Sequence, residues 1–155
     1  MCIRDRSCIE EACSLVPEGS SLRGFFHAGG VLQDAVLANM TVDRFRGVFA
    51  PKVAGLLNLE AWMQASPMSV VVLFSSIASF LGGVGQSNYT GANAALDAAA
   101  MVRQSHGVVG SSVQWGTWAG SGMALRDANT MRRAEKLGIG AVSYTHLTLP
   151  TICSV

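Results

Sequence analysis

Apolar positions along this chain switch between helical and strand-like spacing, and the switching predicts alternating helices and strands. Ile9 to Val16 (IEEACSLV) has apolar residues at helical intervals and stops at the breaker cluster Pro17-Glu18-Gly19. Leu22 to His27 (LRGFFH) is a short strand candidate running into Ala28-Gly29-Gly30. Thr41 or Asp43 can cap a helix reaching about Ala65, with Val48, Val53, Leu56, Leu57 and Leu59 apolar and Pro51 kinking or dividing it. Ser69 to Phe74 is apolar and largely β-branched, as a strand buried on both faces of a parallel sheet would be, and Ser75 and Ser76 end it. A glycine-rich loop follows. Ser87 or Asn88 can cap the next helix, which ends at Gly107 in a C′ position. Val108 to Trp115 is a third strand, and Asp127 to Leu137 reads as a polar surface helix stopped by Gly138. Strands separated by helices imply right-handed crossovers and a parallel sheet of the α/β class.

In such sheets ligands bind beyond the carboxyl ends of the strands. Three unusual segments fall there: His27-Ala28-Gly29-Gly30, then Ser75-Ser76, then the loop from Trp115 to Met123. The glycines after His27 fit a tight turn as well as a place where something packs against bare backbone. Tyr89 and Asn93 are four apart and share one helix face. Ser76 precedes Tyr89 across a loop that can fold the strand end back to the helix start. A phenol with an ordinary pKa of about 10 is a poor proton donor or acceptor at neutral pH, and a nearby ammonium would lower that value. Lys52 has apolar neighbours; taken alone it is expected to snorkel to solvent, and otherwise it points at a group that needs a cation. A serine hydroxyl beside the phenol could hold a carbonyl oxygen as charge develops on it. Asn93 could orient a lysine or a water. Singly these are a packed tyrosine, a turn-capping serine and a surface asparagine. Together at one sheet edge they point to chemistry.

Composition narrows the classes. Of 155 residues, 50% are hydrophobic and only 14% charged, which suits a well-buried interior or a piece of something larger. A formal net charge of +1 gives no reason to expect nucleic acid or an anionic membrane surface as partner. No apolar run reaches the roughly 20 residues of a membrane span, so a soluble, cytoplasmic protein is expected. The four cysteines lack metal-ligand or disulfide-framework spacing, so no metal is expected.

The two ends read as foreign. Met1 to Arg6 (MCIRDR) can be back-translated as ATG TGT ATA AGA GAC AG. The reverse complement of that DNA contains GTC TCT TAT ACA CAT, which decodes as the VSYTH found from Val142 to His146. Ends that decode from opposite strands of one short DNA resemble translated adapter sequence, and such scars are set aside in fold reasoning. Residues 1–6 and 141–155 are therefore expected to be scars around a partial domain at 7–140.

Ser76, Tyr89 and Asn93, with Lys52 upstream, resemble the active site of short-chain dehydrogenase/reductases in their ketoreductase-domain form. Most of that superfamily carries Tyr-x-x-x-Lys; here Asn93 takes the last position and the lysine lies on the preceding helix. That exchange is characteristic of ketoreductase domains of modular polyketide synthases and animal-type fatty acid synthases. FFHAGGVLQD, APKVAGLLNL, VLFSSIASFLGGVGQSNYTGANAALD and VQWGTWAGSGMA follow the polyketide synthase pattern in order and spacing. The resemblance implies a Rossmann-like parallel sheet with flanking helices. It implies NADPH as cofactor and, as partners, other synthase domains and an acyl carrier protein presenting a phosphopantetheine-bound β-keto chain. Tyr89 would protonate the alkoxide, Ser76 would hold the carbonyl, and Lys52 and Asn93 would support the proton relay. His27, Ala28, Gly29 and Gly30 match the segment against the cofactor, joined there by Lys52, Trp115, Gly116 and Trp118. Asp34, Leu81, Asn88 and Met123 match positions on the substrate side. An aspartate at Asp34 and the absence of tryptophan at Leu81 accompany the B-type hydroxyl product.

The family's glycine-rich pyrophosphate turn has no counterpart upstream of Ser7, and Gly82-Gly83-Val84-Gly85 lacks its spacing. The expectation is a truncated domain with the catalytic half present and the phosphate-binding half missing, inactive and aggregation-prone by itself. The alternative is a non-catalytic NAD(P)-binding or structural module of the same fold, which would not need Ser76, Tyr89 and Lys52 together.

Overall fold

The computed structural model describes residues 6–63, 68–119, 132, 135–136 and 138–143. The helix expected over 127–137 lies mostly outside these residues, as do 1–5 and 144–155 of the two ends. The chain forms two compact units, residues 1–114 and 115–155.

In the first unit the order is α1 (Arg6–Ser14), β1 (Gly24–His27), a 3-10 turn (Leu37–Asn39), α2 (Val42–Phe49), a π turn (Ala50–Ala54), α3 (Gly55–Met63), β2 (Val70–Ser76), α4 (Ala78–Leu81) and α5 (Ser87–Ser105). The strand β3 (Ser111–Trp115) follows α5 and completes a sheet ordered β1-β2-β3. β1 and β2 run parallel, with Gly24 opposite Val70 and His27 opposite Leu73. Among the described residues no helix is long and apolar enough to cross a membrane.

One apolar cluster holds these elements together. Val71 and Leu73 of β2 meet Ile9 of α1, Leu56, Leu59 and Met63 of α3, and Leu96 and Ala100 of α5. Ala92, Leu96 and Ala100 repeat every fourth residue, so α5 turns one stripe inward along its length. β2 is not buried on both faces as its composition suggests. Val71, Leu73 and Ser75 are buried, whereas the alternate residues are half-covered and Val70 is exposed, because this cluster packs on the Val71–Leu73 face.

Local signals place several boundaries. Thr41 caps α2, its Oγ1 accepting from Arg44 N at 3.3 Å. Gly107 follows α5 with φ +69°, the left-handed conformation a helix stop requires. Pro51 cannot donate to the helix ladder, and the chain answers with a π turn in which Gly55 N reaches back to Ala50 O. Of the two outcomes expected at Pro51, a kink or a division, the chain takes the division, with α2 before it and α3 after it.

Other expectations are corrected. β2 ends at Ser75 and Ser76 as expected, but starts at Val70 rather than Ser69, and the one-turn α4 replaces the start of the glycine-rich loop. Gln86, not Ser87 or Asn88, occupies the N-cap position of α5. β3 begins at Ser111 rather than Val108 because α5 engages the preceding backbone: Val108 N donates to Arg103 O at 2.9 Å, and Arg103 Nε donates to Val109 O at 2.8 Å.

Candidate active site

The π turn aims Lys52 inward. The residue is 3% exposed, and Nζ donates to Phe74 O on β2 at 2.8 Å. The solvated course expected for Lys52 taken alone is therefore wrong, and the side chain points into the fold, the other course the sequence left open. Burial pushes the ammonium down to about 8, against a smaller upward pull from the Asp97 carboxylate. The lysine's own carbonyl is held by His27, whose Nε2 lies 2.7 Å from Lys52 O. His27 is buried, stacks on Phe25 with ring centroids 5.9 Å apart, and has its pKa lowered by burial. A neutral ring donating Nε2–H fits that contact. Gly29 is needed by the same turn, since a Cβ there would sit 3.0 Å from Pro51 O. Ala28 and Gly29 form an exposed ledge at the end of β1, with Gly30 half-buried behind them.

Lys52 Nζ lies 5.6 Å from the centroid of the Tyr89 ring, a cation over an aromatic face. Tyr89 is held above its ordinary pKa: burial dominates, the Ser76 and Asn93 side chains pull downward as hydrogen-bond partners, and the Asp34 charge pushes upward. This corrects the expected lowering by lysine. Desolvation of the phenolate outweighs the downward pull of its hydrogen-bond partners, and the phenol keeps its proton at neutral pH. Ser76 Oγ also accepts from Ala78 N at 3.2 Å, which fixes the serine at the β2–α4 corner. Asn93 is fully buried one turn beyond Tyr89, and its Nδ2 donates to Tyr89 O at 2.8 Å. Its Oδ1 is buried without a partner among the described residues. Lys52, Ser76, Tyr89 and Asn93 thus come together at the carboxyl end of β2.

A second layer joins the loop after β1 to the start of α5. Ala35 N donates to Gly85 O at 2.8 Å, and Gln86 Nε2 donates to Asp34 Oδ2 at 2.9 Å. Asn88 is fully buried; its Nδ2 reaches Gln33 O at 2.9 Å and Arg44 O at 3.2 Å, and its Oδ1 accepts from Tyr89 N at 2.8 Å. Its amide is thus committed to the scaffold. Asn88→Ala should lower the domain's stability by about 1–3 kcal/mol, read from the denaturation midpoint, because it strands buried backbone groups. An unchanged midpoint would mean that Asn88 is no scaffold tie. Leu81 ends α4 and is 54% exposed, beside Phe80 at 81%, so the turn presents apolar surface. Within the second unit Trp115 and Trp118 pack with centroids 5.1 Å apart, and Gly116 lies half-buried between them in sequence. Met123 lies outside the described residues.

Asp97 escaped the sequence reading. It accepts from Ser112 Oγ at 2.5 Å and from Gln114 Nε2 at 2.9 Å. The signal was present: Tyr89, Asn93 and Asp97 recur every fourth residue and share a helix face.

The KR domain family model matches residues 2–120 of this chain. Polyketide synthase GfsA of Streptomyces halstedii is 41% identical over 120 residues, covering 77% of this chain and 2% of that protein. A solved structure of A-type ketoreductases from a modular polyketide synthase is 34% identical with TM-score 0.87, covering 94% of this chain and 31% of that one. A C2-type ketoreductase from a modular polyketide synthase is 29% identical with TM-score 0.78, covering 91% of this chain and 30% of its own. The chain therefore spans about a third of these solved domains and a few per cent of the curated synthase. Ketoreductase domains of polyketide synthases are NAD(P)-dependent oxidoreductases of the short-chain dehydrogenase/reductase type. With its parallel, helix-flanked sheet and the match over most of its length, this chain belongs to the KR domain family and carries part of the Rossmann-like ketoreductase domain of a modular polyketide synthase.

Proposed function

We propose that this chain is the catalytic part of an NADPH-dependent reductase acting on a β-ketoacyl thioester carried by an acyl carrier protein. The observation that carries the reading is the buried Lys52 ammonium against the Tyr89 ring, with Ser76 and Asn93 as the phenol's hydrogen-bond partners. The residues fit a dinucleotide: the Ala28–Gly29 ledge is open, and Asn93 Oδ1 needs a donor such as water or a hydroxyl. His27 to Gly30 and Lys52 would hold it. NADPH, when bound, supplies the hydride for the β-carbon.

The chain's own residues do the rest. Ser76 Oγ–H donates to the keto oxygen and holds it as charge builds there. Tyr89 gives its proton to that oxygen, turning the alkoxide into the β-hydroxyl. The phenolate left behind is stabilised by the Lys52 ammonium, and Asn93 holds the donor that returns a proton. Exposed Phe80, Leu81 and Val84 on one side and Val36 and Leu37 on the other, on loops joined at Gly85–Ala35, suit an acyl chain. Asp34, fixed by Gln86, supports the B-type product.

In the intact parent domain, NADPH should be consumed only when a β-ketoacyl thioester is supplied, with the β-hydroxy thioester as product by mass spectrometry. Consumption at one rate with and without the thioester would defeat the reading.

A further inference from the structure

Asp97 lies one turn beyond Asn93 and two beyond Tyr89, on the face of α5 that carries both. It is a half-buried carboxylate whose bonds are to neutral groups. Ser112 Oγ and Gln114 Nε2, both on β3, donate to its two oxygens. The same Gln114 amide lies 2.9 Å from Ser79 Oγ on α4, and Ser75 Oγ at the end of β2 donates to Asn93 O at 3.3 Å. β2, β3 and α4 are thus tied to one stretch of α5, directly behind the reacting side chains. A carboxylate in a ring of hydroxyl and amide donors stays ionised, and its charge acts on the buried Lys52 in the direction that keeps the ammonium protonated. Lys52 needs such a charge, because its hydrogen bond goes to a neutral carbonyl, Phe74 O.

We propose that Asp97 is a positioning residue for this site: it pins the ends of β2, β3 and α4 to the Tyr89 face of α5 and supplies the negative charge that keeps the buried Lys52 cationic. The proposal rests on the reductase reading for its effect on turnover, though not for its effect on Lys52 itself. The hydrogen-bonded ring holds the Asp97 pKa below its ordinary value despite burial, so the charge is present throughout the neutral range.

Other charges around Lys52 do not duplicate it. His27 on β1 and Tyr89 on α5 are neutral at neutral pH, and the Asp34 carboxylate in the loop after β1 accepts from Gln86 Nε2 at 2.9 Å. β2, α4 and β3 contribute no titratable side chain. On α2, Asp43 and Arg46 are exposed and Arg44 reaches Asp34 O, while Glu60 of α3 pairs with Arg103 of α5 at 3.0 Å.

The test uses the intact parent domain with Asp97→Asn and with Asp97→Ser, the latter having no amide donor to oppose Gln114. The Lys52 titration is read by NMR of its side-chain nitrogen, and thioester reduction is followed against pH. In both variants the Lys52 midpoint should fall by about one unit, tenfold in charged fraction above the midpoint, and the basic limb of the rate profile should move down with it. Ser112→Ala keeps the carboxylate and loses one tie, so it should lower the melting temperature without moving the midpoint. If the parent reduces nothing yet the midpoint shifts, the charge role stands and the reductase reading falls. A midpoint unmoved in both uncharged variants overturns the proposal, whatever happens to the melting temperature.

Discussion

Tyr89→Phe in the intact parent domain should lower the rate of thioester reduction by about 10²–10⁴-fold, the usual contribution of a positioned acid, while the melting temperature stays nearly unchanged. The substitution removes one oxygen and little else. The ring remains under Lys52 Nζ, and the backbone bonds of Tyr89 to Asn88 and Asn93 remain, because they use the main chain. What disappears is a phenol that burial keeps protonated at neutral pH, the state from which a proton can be given to an alkoxide. NADPH affinity should persist, since the residues assigned to the cofactor are untouched. Equal rates in variant and parent would remove Tyr89 from the mechanism, and with it the reductase reading.

How much of this was legible depends on how local each cause is. The β-branched run Val70 to Phe74, the Thr41 cap and the Gly107 stop are written within a few residues, and the structure has them where the spacing puts them. The pairing of Tyr89 with Asn93 follows from helical period alone, and the same period would have reached Asp97 had it been continued one turn. Lys52 was legible as a residue and not as an orientation. Its inward course depends on the π turn that Pro51 forces and on β2 offering the Phe74 carbonyl, and a fragment read in isolation supplies neither. Gly29 shows the same limit: its missing side chain leaves room for Pro51 O, a contact twenty-two residues away in the chain. The direction of the Tyr89 shift was missed because the balance of burial against charge exists only once the core is assembled. α4, four residues long, is too short for any period to reveal.

Lys52→Met should separate activity from stability more sharply than any other change in this site. Methionine has a similar length and no charge, so it can fill the space under the Tyr89 ring. Two stability terms then oppose each other. Phe74 O loses its donor, which costs about 1–3 kcal/mol for a buried carbonyl. Against that, the fold no longer desolvates an ammonium, a burden visible in the fall of Lys52 from 10.5 to about 8. The melting temperature at neutral pH should therefore change little. The reduction rate should fall by about 10²-fold or more, because the phenolate formed at Tyr89 loses the cation that stabilises it. The pH dependence distinguishes this from a general loss of fit. In the parent the ammonium is present below about pH 8 and lost above it, so the rate should decline as pH rises through 8. In Lys52→Met that decline should be absent. Stability runs the other way: between about 8 and 10.5 the unfolded chain holds a proton the folded chain has released, so the parent grows more stable as pH rises, and the variant should lose that gain. A variant that kept the parent's basic limb would show that another group sets it and that Lys52 is structural.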